Sequence, residues 1–366
     1  MIGLKGVPFP AGIENFTEQI GTRLAARGHR IVVYVRPYVE VGATFRGMNI
    51  RRLPSINTKH LDALSHTILA SCDALFQDLD ILHYHALGPS VFSWVPRLAG
   101  RRTIAHVHGL DWQRAKWSPF ASACLRAAEY TAMYAPDRTI AISTTLKHYL
   151  ENKYQRPVDY VPTGVEHYVY REPQEIRKLG LERGSYVLFL SRLVPEKGCH
   201  YLLDAYKTLA TDKPLVVAGG GTHTEEYVES LKRMAGPNVI FTGEVRGLLL
   251  EELFSNAYVY VLPSEVEGLA HTILQALSYG RCVLASDIEP NVEALGDCGM
   301  TFRSRDVGDL AGALGRLLAS PDLVRDRAAG AERRVRDNYS WDSVVDSLEA
   351  IYADCLTRPS RVFRAH

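Results

Sequence analysis

An acidic residue and an amide, Glu267 and Gln275, frame a predicted helix whose polar groups could bind hydroxyls. Glu267 ends a predicted strand just before Gly268, and the amphipathic helix that follows carries Gln275 eight positions after Glu267. Eight residues make a little over two helical turns, so both polar side chains can face the same ligand. With this spacing, one side chain can reach a ligand's sugar while the other reaches its ribose.

Two cations, Arg192 and Lys197, follow a second predicted strand and stand five residues apart. A predicted helix begins just after them, and the free N–H groups of a helix N-terminus also favour anions. Arginine can bind two phosphate oxygens at once, whereas lysine acts as a mobile point charge. The combination predicts a diphosphate site; the alternative is a pair of solvated surface cations.

Glycine-rich turns follow two further strands. A Gly/Pro-rich loop runs from Gly3 to Glu14 and contains Gly12, and a second turn contains Gly219 and Gly220. Glycine lets backbone N–H groups approach a ligand closely, but any strand-to-helix turn uses it as well. The second turn lacks the G-x-G-x-x-G pattern with a ribose-binding acid, so the signal for a dinucleotide is poor.

Two H-x-H pairs lie on predicted strands. His106 and His108 alternate along one strand and so share a face. The sequence shows no third ligand at a suitable spacing, so a metal site is not expected there. A purely structural interpretation makes one a core histidine and the other a cap. His83 and His85 repeat the pattern and either pack in the core or line an acceptor site.

Two other groups of residues have an obvious chemical interpretation. Asp78 and Asp80 form a D-x-D tripeptide of the kind that binds a divalent metal, but they precede a strand, so a solvated surface is expected. Trp112 and Trp117 could stack on an acceptor sugar, or they could pack a loop.

Short β-rich segments alternate with helical periodicity along the chain, which predicts an α/β protein with parallel sheets. The rhythm pauses at 160–175, where proline and glycine indicate a linker, and then restarts as a second doubly wound unit. The segment Met1–Leu4 looks like only the tail of a strand, so either the first strand is short or residues precede it. In such units ligands bind at the carboxyl ends of the strands, where the motifs above lie.

Bulk composition excludes several classes of protein. The net charge of +1 argues against a general nucleic-acid binder. Residues 1–172 nevertheless hold 20 Lys and Arg against 14 Asp and Glu, so the first half could face an anionic acceptor or membrane surface. No window is apolar enough to span a membrane, and the six cysteines are scattered as in reduced cytosolic proteins. We expect a cytoplasmic protein, with peripheral contact at the inner face of the membrane.

Together these motifs resemble glycosyltransferase family 4, the retaining enzymes of GT-B fold. The resemblance spans nearly the whole chain and rests mainly on the Ser191–Gly198 loop and the Glu267–Gly280 element, where Gln275 replaces the second glutamate of the family. His108-Gly109, Pro162–Val165 and the closing Tyr339–Asp342 helix start add to it.

The resemblance implies two facing Rossmann-like doubly wound domains with a deep interdomain cleft and a C-terminal crossover helix. The N-terminal acceptor-binding domain would cover 1–165 together with the crossover helix 341–366, and the donor-binding domain 166–340. The resemblance also implies a catalytic set of His108, Arg192, Lys197 and Glu267. The donor contacts it implies are Gly12, Gly219, Gly220, Val245 near the base, Gly268, Leu269, Ala270, His271 and Gln275.

The implied reaction moves a sugar from a nucleotide-diphosphate donor to a glycan, lipid-linked or small-molecule acceptor with retention. Arg192 and Lys197 would stabilise the leaving diphosphate, so the resemblance implies no metal and no cofactor besides the donor substrate. Two alternatives remain. A UDP-sugar 2-epimerase of the same fold would release an epimerised sugar without an acceptor. A non-catalytic nucleotide-sugar-binding homologue is suggested by Gln275.

Overall fold

A computed structural model describes residues 1–9, 11–58, 61–113, 118–221 and 224–357. The chain forms two compact units, one of Met1–Gly164 with Trp341–His366 and the other of Val165–Ser340. Each unit is built mainly on parallel strands covered by helices, as the alternating sequence pattern predicts, and the first unit adds one antiparallel pair, 44–45 with 48–49.

The first unit alternates helices with short strands. Its helices are α1 (Gly12–Ala26), α2 (Leu61–Leu75), α3 (Leu87–Ser90), α4 (Trp94–Leu98), α5 (Pro119–Tyr134) and α6 (Thr144–Tyr154). Its strands are β1 (Val32–Val35), β2 (Thr44–Phe45), β3 (Met48–Arg52), β4 (Ile81–His85), β5 (Arg102–Val107), β6 (Arg138–Ala141) and β7 (Asp159–Tyr160). They form two sheets, ordered β1-β3-β2 and β4-β5-β6-β7.

The first two residues connect these sheets. The Met1 carbonyl accepts a hydrogen bond from the Tyr34 N–H of β1, and Ile2 pairs in parallel with Tyr84 of β4. The predicted strand tail at Met1–Leu4 is therefore a bridge between β1 and β4. Ile2 and Tyr84 are fully buried there.

The second unit is a single parallel sheet with helices between its strands. Its strands are β8 (Val187–Leu190), β9 (Leu215–Ala218), β10 (Val239–Gly243), β11 (Val259–Leu262), β12 (Cys282–Ser286) and β13 (Met300–Phe302). Its helices are α7 (Cys199–Tyr206), α8 (Glu225–Met234), α9 (Gly247–Asn256), α10 (His271–Ser278), α11 (Glu289–Leu295), α12 (Val307–Ala319), α13 (Pro321–Ala328) and α14 (Ala331–Asn338). The strand order is β10-β9-β8-β11-β12-β13.

One helix of the second unit was predicted wrongly. The helical periodicity over 322–337 predicts one continuous helix, but α13 ends before Ala329 and α14 begins after Gly330, whose φ is +79°. A left-handed residue interrupts helical geometry, and glycine adopts that conformation without a steric penalty. The short α11 and the edge strand β13 had no prediction at all.

The last helix, α15 (Trp341–Thr357), returns the chain to the first unit. Trp341, Val344, Val345 and Leu348 pack there against Phe16, Ile20 and Leu24 of α1. A Cβ on Gly164 would lie 2.4 Å from the Trp341 ring, so only glycine fits at the end of this unit's first segment. The predicted crossover helix extends to 366, but 358–366 lie outside the described residues.

Candidate functional site

The sheet of the second unit has a topological switch point between β8 and β11. The chain runs from β8 outward to β9 and β10, then returns to the opposite side of β8 to form β11. In open α/β sheets, ligands bind at the carboxyl ends of the strands where the order reverses. The loops after β8 and β11, which carry the predicted cations and Glu267, leave the sheet at this point.

Backbone contacts hold these two loops together. Gly198 has a φ of +70°, and a Cβ there would lie 2.0 Å from the Pro263 carbonyl oxygen. The Glu265 N–H also donates to the Glu196 carbonyl at 2.8 Å. Gly198 therefore permits an approach that no other residue would allow, and this approach sets the position of the short 3-10 turn Pro195–Lys197.

Within this pair of loops, Lys197 and Glu267 form an ion pair. Nζ of Lys197 lies 2.5 Å from Oε1 of Glu267, and the side chains are 13% and 8% exposed. Arg192 lies in the loop after β8 and is exposed. The structure thus brings the predicted phosphate-binding lysine and the predicted sugar-binding glutamate into direct contact.

A second carboxylate nearby, Glu265, has a different environment. Its Oε1 accepts from the Tyr201 hydroxyl at 2.7 Å, and its Oε2 lies 2.6 Å from Nη2 of Arg305. Both oxygens therefore have partners from α7 and from the loop after β13. The Glu265-x-Glu267 spacing alone does not distinguish this anchored carboxylate from the one that pairs with Lys197.

The two glycines of the turn after β9 have different surroundings. Gly219 has a φ of +141°, and a Cβ there would lie 1.9 Å from the Ser191 carbonyl oxygen. The Gly220 carbonyl accepts a hydrogen bond from the Leu193 N–H at 2.9 Å, and a Cβ on Gly220 would make an ordinary van der Waals contact with Glu244 Cβ at 3.7 Å. Gly219 is thus required by packing, whereas Gly220 leaves room at the surface.

The segment before α10 is compact. Leu269 and Ala270 are buried, while Gly268 and His271 are partly buried. Burial lowers the pKa of His271 to about 4. The imidazole that begins α10 is therefore neutral at pH 7, so it can donate or accept a hydrogen bond without adding charge.

Gln275 lies in the second turn of α10 and is 7% exposed. Its Nε2 donates to the Tyr168 hydroxyl at 3.4 Å. The Tyr168 ring stacks on that of Tyr279 with centroids 4.6 Å apart, and burial raises the pKa of Tyr168 to about 12. The amide predicted to bind a ribose thus has a neutral phenol as its neighbour, a contact that sequence spacing could not reveal.

Val245 is half-buried in the turn between β10 and α9. Gly12 begins α1 in the first unit, and a Cβ there would meet no atom within 4 Å. The buried Glu14 holds the loop before Gly12, because its Oε1 accepts from the Lys5 N–H at 2.9 Å. This carboxylate anchor was not predicted.

The first unit gathers four histidines at the ends of β4 and β5. The strand register pairs His85 with His106, and His83 lies on the same face of β4 as His85. His83, His85 and His106 are fully buried, and burial lowers the pKa of each of them well below its usual range. His108 follows β5, is partly buried, and has its Nε2 3.1 Å from Nδ1 of His85.

Strand pairing brings together histidines that are distant in sequence, so other histidines lie near His106 that spacing along the chain does not reveal. One ligand atom each of His83, His85 and His106 lies within 4.8 Å of the others. Among the described residues, four ring nitrogens of these three histidines have no hydrogen-bond partner. The Val161 backbone nevertheless lies close enough to His106 to act against the lowering of its pKa by burial. A tetrahedral metal would hold such atoms about 3.4 Å apart, and this ligand set would be neutral.

The remaining predictions concern the surface. Asp78 and Asp80 are exposed and precede β4, as predicted. Trp112 Nε1 donates to the buried Glu129 at 2.7 Å, which favours packing for that residue. Trp117 lies outside the described residues. No helix in the described part of the chain is long and apolar enough to cross a membrane.

Two family models match the chain on either side of the unit boundary. The model for "Glycosyltransferase Family 4" matches residues 10–168, and the one for "Glycosyl transferases group 1" matches residues 184–320. Among curated proteins, D-inositol 3-phosphate glycosyltransferase of Acidothermus cellulolyticus is 27% identical, over 94% of this chain and 86% of that protein. GDP-mannose-dependent alpha-(1-6)-phosphatidylinositol monomannoside mannosyltransferase of Mycolicibacterium smegmatis is 27% identical, with 91% and 92% covered.

Solved structures show the same fold. Sucrose-phosphate synthase of Thermosynechococcus elongatus superposes with a TM-score of 0.82 at 20% identity, with 94% of this chain and 93% of that one covered. Anabaena HepE in complex with UDP and glucose gives a TM-score of 0.79 at 17% identity, with 94% and 97% covered. Both likenesses extend over nearly the full length of this chain.

Proposed function

We propose that this chain, which belongs to the family 4 glycosyltransferases of GT-B fold, moves a sugar from a nucleotide-diphosphate donor to an acceptor with retention at the anomeric carbon. The observation that carries the proposal is the Lys197–Glu267 pair at the switch point of the second unit. It places a cation for a leaving diphosphate beside a carboxylate that can accept from sugar hydroxyls.

In this mechanism the bond between the sugar's anomeric carbon and the β-phosphate oxygen breaks, leaving positive charge on the sugar ring and negative charge on the diphosphate. Lys197 and Arg192 stabilise that negative charge, and preorganised charges of this kind contribute most to such steps. The acceptor's oxygen then forms its bond to the anomeric carbon on the face that the diphosphate leaves, and the leaving phosphate accepts the acceptor's proton. Glu267 and His108 orient the sugar.

The remaining donor contacts are proposed from the local geometry. A Cβ would meet no atom within 4 Å at Gly12 and only Glu244 Cβ, at 3.7 Å, at Gly220, so the backbone at both glycines could approach a ligand. The half-buried Val245 would border the base. Gly268 to His271 would line the donor at the start of α10, and Gln275 would bind the ribose. For Gly219 the packing against Ser191 limits any donor contact to its backbone.

A thermal-shift screen against nucleotide sugars tests the donor proposal. The relatives and solved structures name GDP-mannose, UDP and UDP-glucose, so these ligands and their sugars define the first panel. A donor that binds only the folded protein at 100 times its dissociation constant stabilises it by about 2.7 kcal/mol. A panel that gives no shift and no transfer with any donor–acceptor pair would contradict the proposal and favour a non-catalytic homologue.

Product analysis separates the transferase from an epimerase. We expect nucleoside diphosphate release to require an acceptor and the new linkage to keep the donor's anomeric configuration. Release of an epimerised free sugar without an acceptor would instead identify a UDP-sugar 2-epimerase. NMR of the product anomeric proton distinguishes the outcomes.

We also propose that the reaction needs no metal, because two side-chain cations serve the diphosphate. Chelation should therefore leave the initial rate unchanged. A loss of rate that added Zn²⁺ or Mg²⁺ restores would overturn this, and the three-histidine set of the first unit would be the first place to look for the metal.

The proposed acceptor is a glycan or lipid-linked molecule, used by a cytoplasmic enzyme in peripheral contact with the membrane. Exposed apolar side chains on α2 and just after it support this proposal. Phe76, which follows α2, is 87% exposed, and four residues of α2 are at least 39% exposed: Leu61, Leu64, Ile68 and Leu69. Co-sedimentation with anionic vesicles should fall on Phe76→Ser. Equal sedimentation of the variant, or none by the parent protein, would contradict membrane contact.

A further inference from the structure

The histidine proposed to contact the donor sugar has a buried partner. Nδ1 of His85 lies 3.1 Å from Nε2 of His108, and their ring centroids are 5.4 Å apart. His85 is fully buried at the end of β4, whereas His108 is partly buried in the loop after β5. A partly buried side chain beyond the strand end is thus connected to one in the core.

His85 is itself held in place. Its ring stacks on His83 with centroids 4.4 Å apart, and His83 Nδ1 lies 2.7 Å from the Tyr352 hydroxyl of α15. The Phe16 ring of α1 packs edge-on against both His85 and His108, with centroids 6.1 and 5.1 Å apart. The His85 ring therefore has little room to rotate, so its Nδ1 is held in one position for the hydrogen bond to His108.

A hydrogen bond between two ring nitrogens requires that one carries the proton and the other does not. If His85 Nδ1 donates, His108 Nε2 is an acceptor and its own proton is on Nδ1. If His108 Nε2 donates, its Nδ1 carries no proton and is an acceptor instead. The state of His85 thus determines whether His108 offers a donor or an acceptor at its other nitrogen.

We propose that His85 is a positioning residue that fixes the ring orientation and the tautomer of His108. This rests on the proposed function, in which His108 contacts the donor sugar. A sugar hydroxyl can donate or accept, but each tautomer of His108 allows only one of these arrangements. Rotation or a mixture of tautomers at His108 would therefore divide the bound sugar among several hydrogen-bonding arrangements.

Two substitutions at the same position distinguish positioning from packing. The amide of His85→Asn occupies roughly the place of Nδ1, which makes the bond to His108, whereas that of His85→Gln occupies the place of Nε2. We expect His85→Asn to keep kcat within about 3-fold of the parent. His85→Gln should lose about 10- to 100-fold in kcat, with a smaller change in donor KM.

The tautomer is measured directly by ¹⁵N NMR of the imidazoles, with the His108 signals identified by their loss in His108→Ala. The parent protein should show a single neutral tautomer at His108 and His85→Gln a mixture. Equal activity losses in both variants with an unchanged tautomer would reduce His85 to a packing residue and overturn the proposal. Melting temperatures show whether each variant folds.

His108→Ala separates failure of this inference from failure of the proposed function. If His108→Ala transfers sugar normally, the role of His108 is wrong and the positioning role falls with it. If His108→Ala is inactive but His85→Gln has normal kcat and a single tautomer, only the inference about His85 is overturned.

Discussion

Nζ of Lys197 and Oε1 of Glu267 lie 2.5 Å apart in side chains that are only 13% and 8% exposed. The cation proposed for the leaving diphosphate and the carboxylate proposed for the sugar are therefore ion-pair partners of each other. In the proposed function, a bound diphosphate would compete with Glu267 for Lys197, and the carboxylate that is released could then accept from a sugar hydroxyl. The ion pair would thus couple binding of the diphosphate to binding of the sugar.

Lys197→Met should impair both rate and stability. Loss of a charge aimed at the transition state should lower kcat about 100- to 1,000-fold. Glu267 would be left as a largely buried carboxylate without its partner, which should destabilise the fold by about 3 kcal/mol in urea unfolding.

The double variant Lys197→Met/Glu267→Gln should recover part of the stability and none of the rate. Lys207→Met, which removes an exposed ion pair with Asp204, is the matched control and should change stability by at most about 0.5 kcal/mol. If Lys197→Met is as stable as the parent protein, the Lys197–Glu267 ion pair does not contribute to stability in solution.

The two glycines after β9 should respond oppositely to alanine. Gly219→Ala would place a Cβ 1.9 Å from the Ser191 carbonyl at a φ of +141°, so it should destabilise the fold by more than about 2 kcal/mol. Gly220→Ala meets its nearest atom at 3.7 Å and should be within about 1 kcal/mol of the parent.

Nucleotide titration of Gly220→Ala then isolates the proposed donor contact. Weaker binding by a stable protein would support a backbone approach at Gly220. Unchanged affinity would remove Gly220 from the donor site and leave this turn with a packing role alone.

The sequence predicted the α/β class and most elements of the second unit because its strands are short apolar segments with regular helices between them. Family 4 membership and the GT-B fold were also correctly identified. The break at Gly330 was missed because the helical periodicity continues across it. In the first unit, α2 and α5 were not predicted.

The sequence could indicate candidate residues for the site, but it could not show which of them are in contact. Arg192, Lys197 and Glu267 follow from charge and position at strand ends. The Lys197–Glu267 pair and the His83–His85–His106 cluster depend on which strands are neighbours, and strand order is not encoded in local spacing. The packing role of Gly219 likewise requires knowing that Ser191 lies across from it.

Gln275→Glu should tighten nucleotide binding. Hydrogen bonds to a charged acceptor contribute about 1 kcal/mol more than neutral ones, which corresponds to about a 5- to 10-fold lower Kd. The Tyr168 hydroxyl, 3.4 Å from the present amide, can donate to the new carboxylate and so help to accommodate it.

Isothermal titration with the donor nucleotide measures this effect, and Gln275→Met is the control of similar length without hydrogen-bonding groups. We expect Met to weaken binding where Glu strengthens it. If both variants bind as the parent does, Gln275 does not contact the ribose and the site must be placed elsewhere along α10.

His271 should make the fold less stable in mild acid. Burial lowers its pKa to about 4 in the folded protein, against about 6.5 in an unfolded chain. As the pH falls, the unfolded chain therefore takes up the proton first, so the contribution of His271 is intact above pH ~6.5 and is lost between there and pH ~4. By pH 5 the loss should be about 2 kcal/mol.

Urea unfolding at pH 7.5 and pH 5 measures the effect, with His271→Asn as the comparison because an amide does not titrate in this range. The pH-dependent loss of stability should be smaller in the variant by about 2 kcal/mol. Because the other buried histidines are the same in both proteins, this difference isolates His271. An NMR titration that places the His271 pKa near 6 would show that its ring is solvated, and the neutral group proposed at the start of α10 would then be charged when the donor binds below that pH.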